Sequence, residues 1–343
     1  MDVLVNWLGG LNVEDRHEEI WKQYNVAIRN VYRVRGAYIL ETDQGLKLYR
    51  NYEGSENKVE FEQSVKQHLY NEGYSNVDLY LRNQNGELIT ADSMGTKYII
   101  KSWFNGEECN LREESDIVAA SRNLANLHNY MQNVQTGLDD QNAKYINDLS
   151  TQFDKHNREL KRVRGYIRDK KQKNEFEVCF LNVYNQFYEQ GLTALEILKE
   201  SGYGNLLEDC VERNTMCHGN YIYHNILMLP DSIATTNFEK VSVGVQMLDL
   251  YCFIRKVMEK NNWNITYGNL IIEEYGNIRL ISEVEMKILY VLLLYPEKFW
   301  KVTNFYYNAR KSWVPRRNIQ KLENLSEQAK DKDLFLMQLE KLI

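Results

Sequence analysis

Proline is scarce in this sequence, and paired cysteines and long apolar runs are absent. The 3 prolines among 343 residues are too few for a stiff linker or a low-complexity stalk. The 5 cysteines include no Cys-x-x-Cys pair and no zinc-finger spacing with histidines, which favours reduced core thiols over disulfides or a metal centre. The longest apolar run, residues 288–295, is too short to cross a bilayer, and the first twenty residues lack the basic segment of a signal peptide. We therefore expect synthesis and folding inside a cell, without membrane insertion.

The overall charge does not favour polyanionic partners. The formal net charge is -6, which gives no general attraction to nucleic acid or to an anionic membrane. Basic residues cluster in one place only, residues 155–173, above an apolar helical stripe. Two interpretations stay open for this block: a solvated amphipathic helix, which the stripe favours, and a docking surface for an acidic partner.

The first third of the chain has the pattern of short strands around one helix. Runs rich in β-branched and aromatic residues predict strands at 31–35, 37–42 and 46–50, and Asp43-Gln44-Gly45 predicts a hairpin turn between the last two. A period near 3.6 residues predicts a helix at 59–71. Further strands are predicted at 77–81, 88–90 and 97–103.

Beyond residue 106 the pattern becomes helical. Apolar residues recur at helical spacing over most of this part, and two short strands are predicted at 226–229 and 233–238. Ser282 and Glu285 have the spacing of a capping box, which predicts a helix beginning there.

This element order predicts an α+β protein with a two-lobed, protein-kinase-like fold. We assign residues 1–102 to a small β-rich N-terminal lobe with a leading helical segment, a mixed or antiparallel sheet and one helix. Residues 103–106, which contain a glycine, are the predicted hinge. Residues 107–343 form the predicted larger helical C-terminal lobe, which holds a degenerate catalytic loop at 217–228.

That loop reads CHGNYIYHNILM and has the frame of a phosphotransferase catalytic loop. Such a loop uses an aspartate to accept the proton of the substrate hydroxyl, and an asparagine five residues later to hold magnesium. Asn225 is at the metal position, but Asn220 stands where the aspartate is required. A neutral carboxamide is no proton acceptor of that kind. His218 is predicted to fix the loop backbone by hydrogen bonds, and His224 to pack within the loop.

A second replacement follows after the next strand. The metal-binding aspartate of phosphotransferases is expected at position 237, and Asn237 occupies it. Glu239 is the nearest carboxylate, whereas a magnesium site normally relies on one or two carboxylates. If the site is active, Asn225, Asn237 and Glu239 are the predicted metal-binding residues.

The nucleotide-binding residues are altered as well. Arg50 stands where a phosphate-gripping lysine is expected on the third strand. Two interpretations stay open for Glu60 and Glu62 on the following helix: either one could pair with Arg50, or both lie on a solvated helix face. The loop at Gly36 has one glycine and is not a G-x-G-x-x-G phosphate cradle.

Five stretches together resemble the CotS family of bacterial spore coat proteins, which are related to aminoglycoside phosphotransferases and choline kinases. In chain order they are VYRVRGAYILETDQG, YIIKSWFNGEECN, CHGNYIYHNILM, NFEKVSVGVQMLDLYCFIRKVMEKNNW and PEKFWKVTNFYYNARKSW. The resemblance implies a two-lobed kinase-like fold, synthesis in the mother-cell cytoplasm during sporulation and deposition in the spore coat. It also implies that Asp249 supports the catalytic loop and that Trp103 lies beside the adenine pocket of a bound nucleotide.

The sequence thus favours a kinase-like (pseudokinase) scaffold that acts in coat assembly through protein–protein contacts. Its expected partners are other spore coat proteins, with self-association possible, and no cofactor is expected. The alternative is an active or nucleotide-binding small-molecule phosphotransferase, which would use ATP and magnesium.

Overall fold

The computed structural model describes residues 13–137, 143–308 and 316–343, which divide into two units. Unit 1 contains the described residues up to Glu107, together with 135–137 and 227–239. Unit 2 contains the other described residues. The segment 227–239, which the sequence suggested for the C-terminal lobe, is thus part of unit 1.

Unit 1 is built on an antiparallel sheet of five strands in the order β1-β2-β3-β5-β4. The predicted hairpin is confirmed, since Thr42 pairs with Gly45 and the turn glycine has φ +85°. A buried aromatic cluster that includes Tyr49 and Tyr98 packs on one face of this sheet. The elements of this part are α1 (Val13–Trp21), β1 (Ile28–Val34), β2 (Ala37–Thr42), β3 (Gly45–Asn51), α2 (Glu56–Asn71), β4 (Thr90–Ala91) and β5 (Lys97–Ser102), and the short β6 (Glu107–Glu108) begins in unit 1 and ends in unit 2.

Two predicted strands of unit 1 are wrong in extent. Residues 77–81 form only isolated bridges, at Val77 and Tyr80, because the side chain of Gln63 takes the Tyr80 N–H that a ladder would need. The strand predicted at 88–90 is reduced to the two residues of β4. Residues 77–81 nevertheless stay close to β5 through irregular hydrogen bonds.

Backbone contacts join the segment 227–239 to the rest of unit 1. Thr235 N–H donates to Asn76 O at 3.0 Å, and Val77 forms a parallel bridge with Thr235. The strand predicted at 233–238 ends early, because Asn237 has φ +62°, a left-handed conformation that interrupts a strand. The strands here are β8 (Ile226–Met228) and β9 (Ile233–Thr235), followed by a 3₁₀ turn at Phe238–Lys240.

The described part of unit 2 is mainly helical and includes one two-stranded ladder. Its central feature is a pair of helices, α4 and α5, whose predicted apolar stripes are buried together with Phe299 and Leu322. The capping box of Ser282 and Glu285 is confirmed. The elements are α3 (Glu114–Tyr130), α4 (Leu149–Asp169), α5 (Glu175–Glu200), α6 (Tyr203–Glu212), β7 (Met216–Cys217), β10 (Ser242–Val243), α7 (Met247–Lys260), α8 (Ile265–Gly276), α9 (Glu283–Leu294), α10 (Glu297–Asn308), α11 (Arg316–Glu327) and α12 (Ala329–Leu339). Across the described ranges, no helix combines the length and the apolar character needed to span a bilayer.

One buried histidine in α4 predicts a pH dependence of stability. His156 stacks on Trp300 at 3.4 Å between ring centroids, and burial lowers its pKa from 6.5 to about 4 although Glu159 opposes the shift. The unfolded chain therefore takes up this proton first, so the stabilisation is complete above pH 6.5 and is lost as the pH falls towards 4.

We expect the free energy of unfolding to fall by about 1–2 kcal/mol more in the wild type than in His156→Phe between pH 7 and pH 5. Phenylalanine keeps the stacking on Trp300 and has no titrating group. Urea unfolding at both pH values measures the difference, and His128, which is also buried with a lowered pKa, is present in both proteins. Parallel pH profiles for the two proteins would contradict the assignment.

Candidate functional site

The loop that follows β7 begins at a position that only glycine can occupy. Gly219 has φ +77°, and a Cβ atom added there would collide with the backbone carbonyl of Lys240. The strands β7 and β10 pair just before this point, with Cys217 opposite Ser242. The ladder and the glycine together fix where the loop begins.

Asp249, in the first turn of α7, holds the start of the loop through two backbone hydrogen bonds. The N–H of His218 donates to Asp249 Oδ2 at 2.6 Å, and the N–H of Gly219 donates to Oδ1 at 2.7 Å. The side chain of Asp249 is fully buried. A carboxylate is well suited to this place because it has acceptors for both N–H groups.

Two histidines extend this network. His128 Nε2 lies 3.3 Å from Asp249 Oδ2, while its Nδ1 lies 2.7 Å from the hydroxyl of Tyr275. Burial lowers the pKa of His128 although Asp249 raises it. His218 Nδ1 accepts the N–H of Asn220 at 3.2 Å, which assigns any ring proton of this histidine to Nε2. His128 was not singled out from the sequence, because nothing in its local pattern distinguishes it from a core residue.

The two loop asparagines contact each other through the backbone of the first. The amide of Asn225 donates to the carbonyl of Asn220 at 2.9 Å, and Asn225 is buried. Asn220 is partly exposed. The predicted loop histidine His224 lies beside Glu108 on β6, with its Nδ1 2.6 Å from a carboxylate oxygen. The amide of Asn225 therefore braces the loop at the point where Asn220 replaces an acid.

In unit 1, the backbone of Asn237 is bound by a buried carboxylate. Its N–H donates to Asp78 Oδ2 at 2.9 Å, and its left-handed φ is one that asparagine adopts more readily than most residues. Asp78 is also 3.1 Å from the ammonium of Lys101 on β5. Asn237 thus occupies a defined main-chain position.

Asp78 belongs to a buried charge cluster that the sequence did not predict. Lys66 Nζ lies 3.1 Å from Glu62 and 3.5 Å from Asp78, and Tyr80 donates its hydroxyl to Glu62 at 2.7 Å. Lys101 completes the cluster at 3.7 Å from Glu62. All four charged side chains are at most 1% exposed.

The pKa shifts follow from this arrangement. Burial alone would raise the pKa of Glu62 and of Asp78, but the ammonium groups of Lys66 and Lys101 outweigh it and hold both below their ordinary values. Burial lowers the pKa of Lys66, and the carboxylates of Asp78 and Glu62 oppose that change. Such a cluster is stable only while each charge keeps its partners.

Arg50 and Glu239 extend the cluster to the surface of unit 1. The guanidinium of Arg50 forms an ion pair with Glu239, whose carboxylate also lies 3.9 Å from Lys101. Arg50 pairs with neither Glu60 nor Glu62, the partners suggested by the sequence. Glu60 binds Arg82 instead, and Glu62 faces inward to Lys66.

The cluster as a whole is electrically balanced. Its three cationic groups face three carboxylates, so Glu239 is not an uncommitted anion. The cationic members are Arg50, Lys66 and Lys101, and the anionic members are Glu62, Asp78 and Glu239. Trp103 lies apart from these charges, partly buried against the small apolar group of Ala37, Ile39 and Leu48.

These residues are a poor match for a magnesium ion. Magnesium prefers carboxylate oxygens, but the loop of unit 2 has a carboxamide at 220, and in unit 1 a carboxamide stands at 237 while Glu239 is paired with Arg50. Within the described ranges, no three His, Cys, Asp or Glu side chains gather in a way that could hold a metal ion. The phosphate-gripping position is likewise occupied by a guanidinium that already has a carboxylate partner.

Comparison with known sequences places these observations in a family. The family described as spore coat putative kinase YutH matches residues 17–339. Spore coat protein S of Bacillus subtilis (strain 168) is 21% identical over 169 residues. That match spans 49% of this chain and 48% of the curated relative, about half of each. The predicted resemblance to kinase-like spore coat proteins is confirmed.

Comparison with solved structures confirms the predicted fold class. An aminoglycoside phosphotransferase from Alicyclobacillus acidocaldarius matches with a TM-score of 0.81 at 16% identity, over 95% of both chains. The choline kinase LicA from Streptococcus pneumoniae matches with a TM-score of 0.55 at 10% identity, over 93% of this chain and 98% of its own. At these identities the likeness establishes the fold alone.

Proposed function

We propose, from the fact that this chain belongs to the spore coat YutH family, that it is a non-catalytic kinase-like protein that acts in coat assembly. It would be made in the mother-cell cytoplasm and deposited in the coat, where it contacts other coat proteins. Neither ATP nor magnesium would be required for this role. The observation that carries the proposal is the joint replacement of two expected aspartates by Asn220 and Asn237, with Glu239 held by Arg50.

The first replacement bears on proton transfer. A phosphotransferase loop needs a group that accepts the proton of the attacking hydroxyl, and the carboxamide of Asn220 has no such basicity. Loss of a general base alone commonly lowers the rate by about 10²–10⁴-fold. The backbone support of the loop by Asp249 is kept, which fits a scaffold that is retained for its shape.

The second replacement bears on the metal. With Asn237 neutral, the carboxylates beside it are the buried Asp78, which is paired with lysines, and the partly exposed Glu239, where binding a cation would compete with Arg50 and Lys101. Breaking a partly buried pair leaves the guanidinium without its counter-charge, which opposes such an exchange. The ion pair therefore supports a role that does not require a metal at Glu239.

A second candidate function is an active small-molecule phosphotransferase that uses Asn225 and Glu239 for magnesium. The retained loop asparagine and the fold shared with phosphotransferases favour it. It requires Glu239 to leave Arg50 when the metal arrives. An intermediate candidate binds nucleotide through Arg50 without transferring phosphate.

A thermal-shift experiment with ATP, with magnesium and with both separates these candidates. A ligand at about one hundred times its Kd stabilises a protein by about 2.7 kcal/mol, which is a shift of several degrees. We expect no magnesium-dependent shift in the wild type at millimolar nucleotide. The double variant Asn220→Asp, Asn237→Asp has a carboxylate at both positions. We expect this variant to show a magnesium-dependent thermal shift.

The controls are an Asn225→Ala variant and a phosphotransfer assay over a broad panel of acceptors. Wild-type turnover, or a magnesium-dependent shift, that disappears in Asn225→Ala would overturn the non-catalytic proposal. A wild-type shift with ATP that ignores magnesium would replace it by the nucleotide-binding candidate.

A further inference from the structure

The helical hairpin of unit 2 carries opposite charges at its two ends. The basic segment, residues 161–173, contains seven lysines and arginines and one acid, a net charge of +6 in a chain of net charge -6. The acidic segment, residues 189–212, contains six acids and one lysine, a net charge of -5. Both segments lie in unit 2.

The basic segment has more cations than its neighbours neutralise. Among the described residues, no carboxylate lies within 4.0 Å of Lys161, Arg162 or Lys171, and all three are exposed. Arg168 reaches the adjacent Asp169 at 3.4 Å, and Lys170 reaches Glu177 at 2.5 Å. A surplus of positive charge therefore faces the solvent.

The acidic segment turns its charged side chains to the solvent, although Leu195, Leu198 and Tyr203 within it are buried. All six of its acids are solvent-exposed: Glu189, Glu196, Glu200, Glu208, Asp209 and Glu212. Several lie in the C-terminal turns of α5 and α6, where a helix dipole disfavours negative charge. Helix stability thus gives no reason for acids at these positions, which points to a partner outside the helix.

The packing of the hairpin separates the two segments. The helices α4 and α5 run antiparallel, since Asn157 in the middle of α4 donates to Gly191 O in the second half of α5 at 3.0 Å, whereas Lys170, just after α4, pairs with Glu177 in the first turn of α5. The hydroxyl of Tyr203, at the start of α6, accepts the N–H of Leu149 at 2.7 Å. The acidic segment consequently begins beside the middle of α4 and extends past its start, whereas the basic segment occupies the second half of α4, so the centres of the two segments are about 20 Å apart along the hairpin.

We propose that this protein self-associates head to tail, with the basic segment of one copy against the acidic segment of the next. The two segments are nearly equal in charge and differ in position, so the contact is heterologous and can repeat into an open chain. A second copy is favoured over nucleic acid because the rest of the chain, at -12, repels a long polyanion. This deepens the assembly role proposed above and rests on it for its biological meaning.

The test is sedimentation velocity of the full chain, without nucleotide, at about 50 mM and about 300 mM NaCl. We expect concentration-dependent association at low salt that weakens roughly tenfold or more at high salt, because exposed charges are screened. Lys161→Glu with Arg162→Glu should abolish it. Arg29→Glu with Arg33→Glu, on the exposed face of β1, gives the same change in net charge and should leave it intact.

A charge-swap pair guards against a folding defect. The variant Glu208→Lys, Glu212→Lys should not associate by itself. An equimolar mixture of it with the Lys161→Glu, Arg162→Glu variant should associate, because each altered segment then meets a segment of opposite charge. A wild-type chain that stays monomeric at low salt would overturn the proposal. So would an equal loss of association in the Lys161→Glu, Arg162→Glu variant and in the Arg29→Glu, Arg33→Glu control. Monomeric protein that binds a polyanion such as heparin would assign the basic segment to that class of partner instead. Each of these results is independent of the nucleotide experiment, so the two proposals fail separately.

Discussion

Replacing Lys101 by methionine is expected to lower the free energy of unfolding by roughly 3–5 kcal/mol, because it leaves buried carboxylates without one of their two ammonium partners. Lys101 is fully buried and lies 3.1 Å from Asp78 and 3.7 Å from Glu62. Methionine keeps most of the packing volume, so the loss of stability measures the contribution of the charge. Urea unfolding followed by circular dichroism measures it.

Lys97→Met is the matched control, because Lys97 lies on the same strand and is exposed. We expect its effect to stay within about 0.5 kcal/mol. The double variant Lys101→Met, Asp78→Asn should lose less than the sum of the single losses, since removing both partners leaves no orphaned charge between them. Similar losses for Lys97→Met and Lys101→Met would show that the cluster does not contribute as described.

Replacing Asp249 by alanine should cost about 2–5 kcal/mol, because a buried and a partly buried backbone N–H group lose their acceptors together. We also expect faster hydrogen exchange at His218 and Gly219, whose amides Asp249 holds. Exchange measured by mass spectrometry on peptides that cover residues 216–222 separates this local effect from global loss of stability.

Asp231→Ala is the control for this experiment, since Asp231 is exposed. Its exchange and stability should match the wild type. If exchange over 216–222 were unchanged in Asp249→Ala, the loop would be held by other contacts, and the role implied for Asp249 by the family resemblance would be wrong.

Most of the fold was predicted from local patterns in the sequence. The hairpin of β2 and β3 followed from its turn chemistry, and the amphipathic helices α4 and α5 followed from their period, because both signals lie within a few neighbouring residues. The strand predicted at 77–81 failed because a side chain from α2 takes one of its backbone donors. No local signal in a sequence reports such a distant competitor.

The site was predictable only where a motif fixed it. The loop frame identified Asn220 and Asn225, but the buried cluster around Asp78 joins residues from α2, β5 and two connecting segments. The partners suggested for Arg50 were wrong for the same reason, since Glu239 is far along the chain from α2, which carries Glu60 and Glu62. Pairing between charges depends on tertiary packing, which one sequence alone does not encode in any short pattern.

The left-handed backbone at Asn237 has an evolutionary consequence. Aspartate and asparagine are nearly isosteric and both tolerate this conformation, so exchanging one for the other leaves the main chain in place. A lineage can therefore cross between the acidic and the amide form at this position by one side-chain substitution, without passing through a misfolded ancestor.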